Sequence, residues 1–256
     1  MEINIYKLRA LTNLQAGRGA NNYSVIDNLV QRDATSNLPT INGSSIKGAV
    51  REYFSSKWED EKVNILFGSE DKERSQINFL PADLIAIPVR SNKRAYYLAT
   101  CPSILKRLSE KYKTMGITVD FGNILDQTVG DGAPVLLSGS TKNLVVEDYE
   151  NCLESKDGLE CKLIGSPDEI MLFSENDFKD ICGDLHLPVI ARNKVGENLW
   201  YEQVVPRESL MLTPIFHTSE NYKSFEDELL PEGKIIHIGA NATVGYGFCK
   251  FYELKR

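Results

Sequence analysis

No stretch of the chain comes near the ~20 consecutive apolar residues that a membrane-spanning helix needs, so no membrane partner is expected. The opening Met1-Glu2-Ile3-Asn4-Ile5-Tyr6 alternates like a strand. It lacks a basic-then-apolar leader, so no signal peptide is expected. Cysteine is sparse: five residues, an odd number, with no Cys-x-x-Cys pair. That argues against a disulfide framework and fits a reducing cytoplasm. Cys152 and Cys161 have no nearby histidine to complete a zinc finger. The three histidines, His186, His217 and His237, stand apart from one another and read as structural. There is no Gly-x-Ser-x-Gly elbow and no Gly-x-x-x-x-Gly-Lys-Ser/Thr loop, so serine hydrolases and P-loop enzymes lose support.

What is present suits a folded domain. The 256 residues are 42% hydrophobic and 25% charged, enough to bury a substantial core. The net charge of −7 speaks mildly against nucleic acid, but its distribution matters more. Residues 84–113 carry Arg90, Lys93, Arg94, Lys106, Arg107, Lys111 and Lys113 against only Glu110. Residues 143–185 carry a run of acids from Glu147 to Asp184 against Lys156, Lys162 and Lys179. A phosphate chain would find basic ground in the first half. Two ordinary solvated faces would look the same.

Periodicity predicts strands over 3–15, 76–89, 94–100 and 210–216. It predicts helices from Ser44 to about Trp58, from Pro102 to about Tyr112, from Asp168 to Cys182 and from Ser219 to Leu230. Residues 16–43 read as a long ordered loop, which in a compact domain is usually functional. Residues 186–205 read as a strand, a turn over Lys194 to Asn198 and a returning strand. Lys234 to Leu254 reads as two strands around a glycine-rich turn. The interleaving favours an α+β architecture, with helices on an antiparallel sheet. A ferredoxin-like core is one compatible choice.

Three segments carry candidate chemistry. In Gly43-Ser44-Ser45-Ile46-Lys47-Gly48-Ala49-Val50-Arg51, backbone N–H groups, two hydroxyls and two cations four residues apart collect at a helix start. They would hold phosphate, or they would make a capped surface helix with solvated cations. In Gly239 to Gly247, Gly239, Gly245 and Gly247 permit positive φ, and Tyr246 offers a ring to stack on a base. An ordinary hairpin explains the same residues. In the long loop, Asp27 lies near Arg18 and Arg32. It is a turn former or ion-pair partner, or, if RNA crosses here, a group that orients a ribose 2′-OH or holds a divalent cation. The sequence shows no cluster of acids suited to a two-metal nuclease.

Several stretches together resemble one family, the backbone subunit of the type III-B (Cmr) CRISPR effector complex in the RAMP superfamily. Leu38 to Arg51 resembles the pattern Leu-Pro-x-Ile-Pro-Gly-Ser-Ser-x-Lys-Gly-x-x-Arg, with Asn42 in place of a proline. Gly239 to Gly247 is similar to the superfamily's C-terminal glycine-rich loop. Ile87-Pro88-Val89-Arg90-Ser91 resembles the Cmr subunit's Pro-Val-Arg-Ser segment. Leu199-Trp200-Tyr201-Glu202 with Val205-Pro206-x-Glu208 resembles its Leu-Trp-Tyr-Glu and Val-Pro-x-Glu segment. The equivalent subunit of the type III-A (Csm) complex shares the first two signatures and is the nearest alternative, followed by a RAMP processing endonuclease, which would favour a catalytic histidine, and a non-catalytic guide-RNA scaffold.

The resemblance implies a single RAMP domain with a ferredoxin-like, RNA-recognition-like palm. That palm would be formed mostly by residues 1–113 and 206–256. Residues 114–185 would be an irregular insertion and 186–205 a protruding β-hairpin thumb. It implies a cytoplasmic endoribonuclease that cuts target RNA at regular intervals. The partners implied are CRISPR guide RNA, target RNA, further copies head to tail and other Cmr subunits. Asp27 matches the family's target-cleaving aspartate and would hold Mg2+ or Mn2+, and Glu208 matches a family acid near the site. Arg18, Ser44, Ser45, Lys47, Arg51, Arg90, Gly239, Gly245, Tyr246 and Gly247 are the implied RNA contacts. Where family members often carry Leu-His-x-Gly, this chain has Leu14-Gln15-Ala16-Gly17, and Gln15 does no acid–base work at neutral pH.

Overall fold

The computed structural model describes all residues except 21–24, 70–73, 151–152, 194–198, 219–221 and 255–256. It divides into two compact units: Met1–Leu84 with Leu187–Lys255, and Ile85–His186. The second unit takes in 85–113, which the sequence reading grouped with the palm, and the notional insertion after it.

The first unit opens with strands β1 (Glu2–Ala10), β2 (Gly17–Ala20), β3 (Asn28–Val30) and β4 (Thr40–Ile41). Helices α1 (Gly43–Ser55) and α2 (Asp60–Phe67) and strand β5 (Ile77–Phe79) follow. The boundary falls within β6 (Ala82–Val89). The second unit adds β7 (Tyr97–Thr100), α3 (Pro102–Thr114), β8 (Val135–Leu136), β9 (Glu154–Ser155), β10 (Ile170–Leu172) and α4 (Glu175–Ile181). The chain then returns to the first unit with β11 (Val189–Arg192), β12 (Trp200–Gln203), β13 (Leu210–His217), α5 (Tyr222–Leu229), β14 (Ile236–His237) and β15 (Phe248–Glu253).

Two sheets organise the first unit. One is antiparallel in the order β14-β15-β1-β13, and β13 also pairs with β5. Its long strands are apolar on both faces: β1 buries Ile3 and Ile5 on one side and Tyr6, Leu8 and Ala10 on the other, and β13 is buried almost throughout. Helix α1 buries Ile46, Val50 and Phe54, spaced one turn apart along one stripe. Phe54 stacks on Phe225 of α5 with ring centroids 5.1 Å apart. The other sheet is small, in the order β11-β12-β3-β2. Its β11–β12 pairing is the expected hairpin, with Val189 opposite Gln203 and Arg192 opposite Trp200. The turn expected over Lys194 to Asn198 lies outside the described residues. β12 and β3 run parallel, with Glu202 opposite Asn28.

In the second unit, the wholly buried β10 lies between β7, parallel to it, and β8, antiparallel. Pro102 sits in the first turn of α3, where its missing N–H costs nothing. Ser174 caps α4 by accepting from the Asp177 N–H at 3.1 Å. Among the described residues, no helix is long and apolar enough to cross a membrane. Cys101, Cys161, Cys182 and Cys249 are buried.

Three expectations need correction. The single helix over Asp168 to Cys182 is a 3-10 turn, β10 and α4, because the buried Ile170–Leu172 run pairs in a sheet. Residues 16–43 contain three short strands, β2, β3 and β4. β2 pairs with β3, while β3 and β4 also pair with β12 and β6, far away in sequence. Helix α1 is not capped by Ser44 or Ser45. It begins at Gly43 after Asn42, whose side chain makes no capping bond. The helix start presses against the end of β5, where a Cβ on Gly43 would collide with the Phe79 carbonyl oxygen. Gly48, one turn on, would gain a Cβ with nothing within 4 Å.

The two glycines of one helix should therefore answer oppositely. Gly43→Ala is expected to lower folding stability by about 1–3 kcal/mol through overpacking. Gly48→Ala is expected to raise it by about 0.8–1 kcal/mol through helix propensity. Denaturant unfolding of the two variants checks both signs.

Candidate nucleic-acid interface

Part of the candidate set lies around β3. At its C-terminal end, Gln31 is 8% exposed and uses its whole amide. Its Nε2 donates to the Gly17 carbonyl and to Ser45 Oγ, each at 3.1 Å, and its Oε1 accepts from the Asn42 N–H at 2.6 Å. The Gln31 N–H donates to the Ala16 carbonyl at 2.8 Å. One side chain thus fixes β2, the end of β3 and the start of α1. A buried amide of this kind holds its position firmly because each lost bond leaves a polar atom unsatisfied.

At the N-terminal end of β3 lies Asp27, exposed. Its N–H donates to the Tyr201 carbonyl at 3.1 Å, and its Oδ2 accepts from the Tyr201 N–H at 2.8 Å. The carboxylate is therefore pinned to β12. The neighbouring Glu202 is 6% exposed. Its carboxylate accepts from Arg192 Nε at 3.1 Å, Trp200 Nε1 at 2.9 Å, Asn241 Nδ2 at 2.8 Å and Asn28 Nδ2 at 3.5 Å. The Arg192 guanidinium lies over the Tyr246 ring, 4.5 Å from its centroid. The hairpin, the start of β3 and the glycine-rich loop meet at this one carboxylate.

The glycine-rich loop folds back on residues 11–15. The Ala240 N–H donates to the Gln15 carbonyl at 2.9 Å, and the Gly247 N–H to the Asn13 carbonyl at 2.8 Å. Gly239 and Gly247 have positive φ, and a Cβ on either would strike a carbonyl oxygen, that of Gln15 or of Ile238. Gly245 also has positive φ but is exposed with open space around it. Gln15 is buried, with its side chain against Gly17.

Several expected contacts also bond within the protein. Arg51 donates to the Gly68 carbonyl at 2.7 Å and to Asn64 Oδ1 at 2.8 Å, closing the end of α2. Glu208, at φ 75°, accepts from Arg9 Nε at 2.8 Å and pairs with Arg9 Nη2 as well. Arg90 lies in the second unit, where Glu147 holds its guanidinium through bonds of 2.9 and 2.6 Å. Tyr246 is half-buried beneath Arg192. Lys47 is half-buried on α1, and burial, with Arg51 beside it, lowers its pKa below the usual lysine value. Arg18 and Ser44 are exposed on β2 and in the first turn of α1.

Sequence reasoning named Asp27 and the segments that contain Glu202 and Asn241, but gave Gln31, Glu202 and Asn241 no role. The only signal for Glu202 was an acid in an otherwise apolar, aromatic run.

The RAMP superfamily model matches residues 7–250. The CRISPR system Cmr endoribonuclease Cmr4 of Pyrococcus furiosus is 28% identical over 291 aligned residues, spanning 98% of this chain and 95% of that protein. In fold, the chain is similar to one in the type III-B Cmr-beta complex bound to cognate target RNA. That TM-score is 0.77 at 19% identity, over 99% of this chain and 97% of that one. It is also similar in fold to oligomeric Cmr4 from Pyrococcus furiosus, with a TM-score of 0.73 at 22% identity over 100% of both chains. The chain belongs to the RAMP superfamily.

Proposed function

We propose that this protein is the repeating backbone subunit of a type III-B CRISPR ribonucleoprotein. It binds guide RNA, stacks with further copies and other Cmr subunits, and cuts complementary target RNA at Asp27. The setting is cytoplasmic. The antiparallel β14-β15-β1-β13 sheet with α1 and α5 acts as a ferredoxin-like palm, and the β11–β12 hairpin as the thumb. The observation that carries the reading is Asp27 itself. Its carboxylate is exposed, oriented by the Tyr201 N–H at 2.8 Å, and set on the strand that also fixes the start of α1.

RNA carries its own nucleophile. The 2′-OH attacks the adjacent phosphorus when it stands in line with the leaving 5′ oxygen, a geometry that a regular duplex forbids. A hairpin that displaces one nucleotide frees that sugar, and alignment alone supplies several kcal/mol. In this reading Asp27 accepts the 2′-OH proton, with one carboxylate oxygen held by the Tyr201 N–H. The first turn of α1, with Ser44, Ser45 and Lys47, offers N–H groups, hydroxyls and a cation to guide phosphates. The open Gly245 lets a backbone pass close by.

Among the described residues, no three His, Cys, Asp or Glu side chains converge to hold a metal. The described residues alone build no cage, yet a single exposed carboxylate suits Mg2+ or Mn2+ shared with RNA phosphates and water. Such an ion, when bound, would offset charge developing on the phosphate. Arg51, Arg90 and Glu208 serve this reading indirectly, by holding local structure.

A second reading has one observation in its favour. The Asp27–Tyr201 bond would also serve a non-catalytic scaffold. Asp27→Asn separates the two, since Asn keeps an acceptor for the Tyr201 N–H and loses the charge. In the assembled, guide-loaded complex, target cleavage is expected to fall by about 10²-fold or more, with assembly and target binding retained. Cleavage at the wild-type rate would leave the scaffold reading. Lys47→Ala is expected to weaken guide binding and to reduce the slope of log K against log salt by about 0.7, one phosphate contact on single-stranded RNA. Binding measured across a salt series checks it. Arg51→Ala should instead lower folding stability, because it unties α2.

A further inference from the structure

We infer that Glu202 is the positioning residue for Asp27, its buried carboxylate being the joint that holds the β11–β12 hairpin, the glycine-rich loop and the Asp27-bearing strand in one arrangement. The inference rests on the proposed role of Asp27.

Solvation sets the constraint. A carboxylate that is 6% exposed keeps its charge only if donors replace the water it has lost. Glu202 has four side-chain donors. Arg192 and Trp200 come from the hairpin, Asn241 from the glycine-rich loop, and Asn28 from β3. The Asn28 bond, at 3.5 Å, is the longest and carries the least. Charge-assisted bonds are strong and directional, so the four groups are held relative to one another. Tyr201 is the residue before Glu202 along β12, and its N–H and carbonyl are the two atoms that hold Asp27. Asn28 is the residue after Asp27, at the start of β3. Asp27 is thus bonded to one neighbour of Glu202 and covalently joined to a donor of Glu202. Arg192 is part of the same joint. It lies over Tyr246, and its Nη2 is buried without a hydrogen-bond partner among the described residues. Glu202 supplies the compensating negative charge there.

Neutralising this carboxylate would loosen Tyr201 against Asp27 without touching the α1 surface. Misplacement of a reacting group by about 1 Å can cost about 10²-fold in rate. The test uses the guide-loaded complex and a complementary target RNA under single-turnover conditions. Glu202→Gln is expected to lower the cleavage rate at saturating target by about tenfold or more, with target affinity unchanged. Glu202→Asp, which keeps the charge, is expected to recover part of that loss. Asn241→Gly permits the left-handed backbone that Asn241 adopts at φ 68° and deletes one donor. It should give a smaller fall in the same direction, and it decides the matter if Glu202→Gln fails to assemble. Wild-type cleavage in Glu202→Gln, or in Asn241→Gly should that variant decide, would overturn the inference. So would a loss of target binding that accounts for the loss of rate. Asp27→Asn, run alongside, tests the underlying reading by itself. If it cuts normally, the role of Asp27 fails regardless of Glu202.

Discussion

A negative charge buried at Glu202 constrains everything around it. Removing a carboxylate from water is costly, and an unpaired one would not persist. The chain meets that cost by bringing four donors from three segments far apart in sequence. The hairpin, the glycine-rich loop and β3 are thereby held in register. An all-apolar contact could have brought the same segments together, but it would have tolerated sliding. Directional bonds do not.

Gln31 performs the complementary task at the other end of β3. Its amide joins β2 to the first turn of α1 through three bonds. The short strand β3 therefore lies between two polar clamps, one neutral and one charged. Asp27 precedes the charged clamp and α1 is fixed by the neutral one. The candidate proton acceptor and the candidate phosphate-binding turn belong to one connected frame. Lys47, half-buried on α1, is the proposed phosphate contact. The arginines that looked equivalent to it in sequence also bond within the protein: Arg51 holds the end of α2, and Arg90 pairs with Glu147.

The same distinction explains the glycines. Gly239 and Gly247 are required by the protein's own packing, since a side chain on either would strike a carbonyl. Gly43 is required by the end of β5 for the same reason. Sequence patterns cannot separate these three from Gly48 and Gly245, which have open space beside them. Glycine looks identical in sequence whether its neighbour is its own chain or a ligand.

By itself, the sequence determined the long strands β1 and β13, the amphipathic stripe of α1, the proline-started α3 and the two strands of the hairpin. Each depends on a local apolar run, an apolar stripe or a local backbone rule, which short-range order encodes. It also marked segments of candidate chemistry, because an unusual combination such as Gly-Ser-Ser-Ile-Lys-Gly stands out locally. Only the tertiary structure decided that 16–43 would form strands and that Arg51 would turn to α2. It alone decided that Glu202 would be the common acceptor for Arg192, Trp200, Asn241 and Asn28. The physical reason is that a hydrogen bond between residues 174 positions apart, as between Asn28 and Glu202, leaves no periodic trace. Its donor and acceptor acquire their roles only when folding removes the water around them.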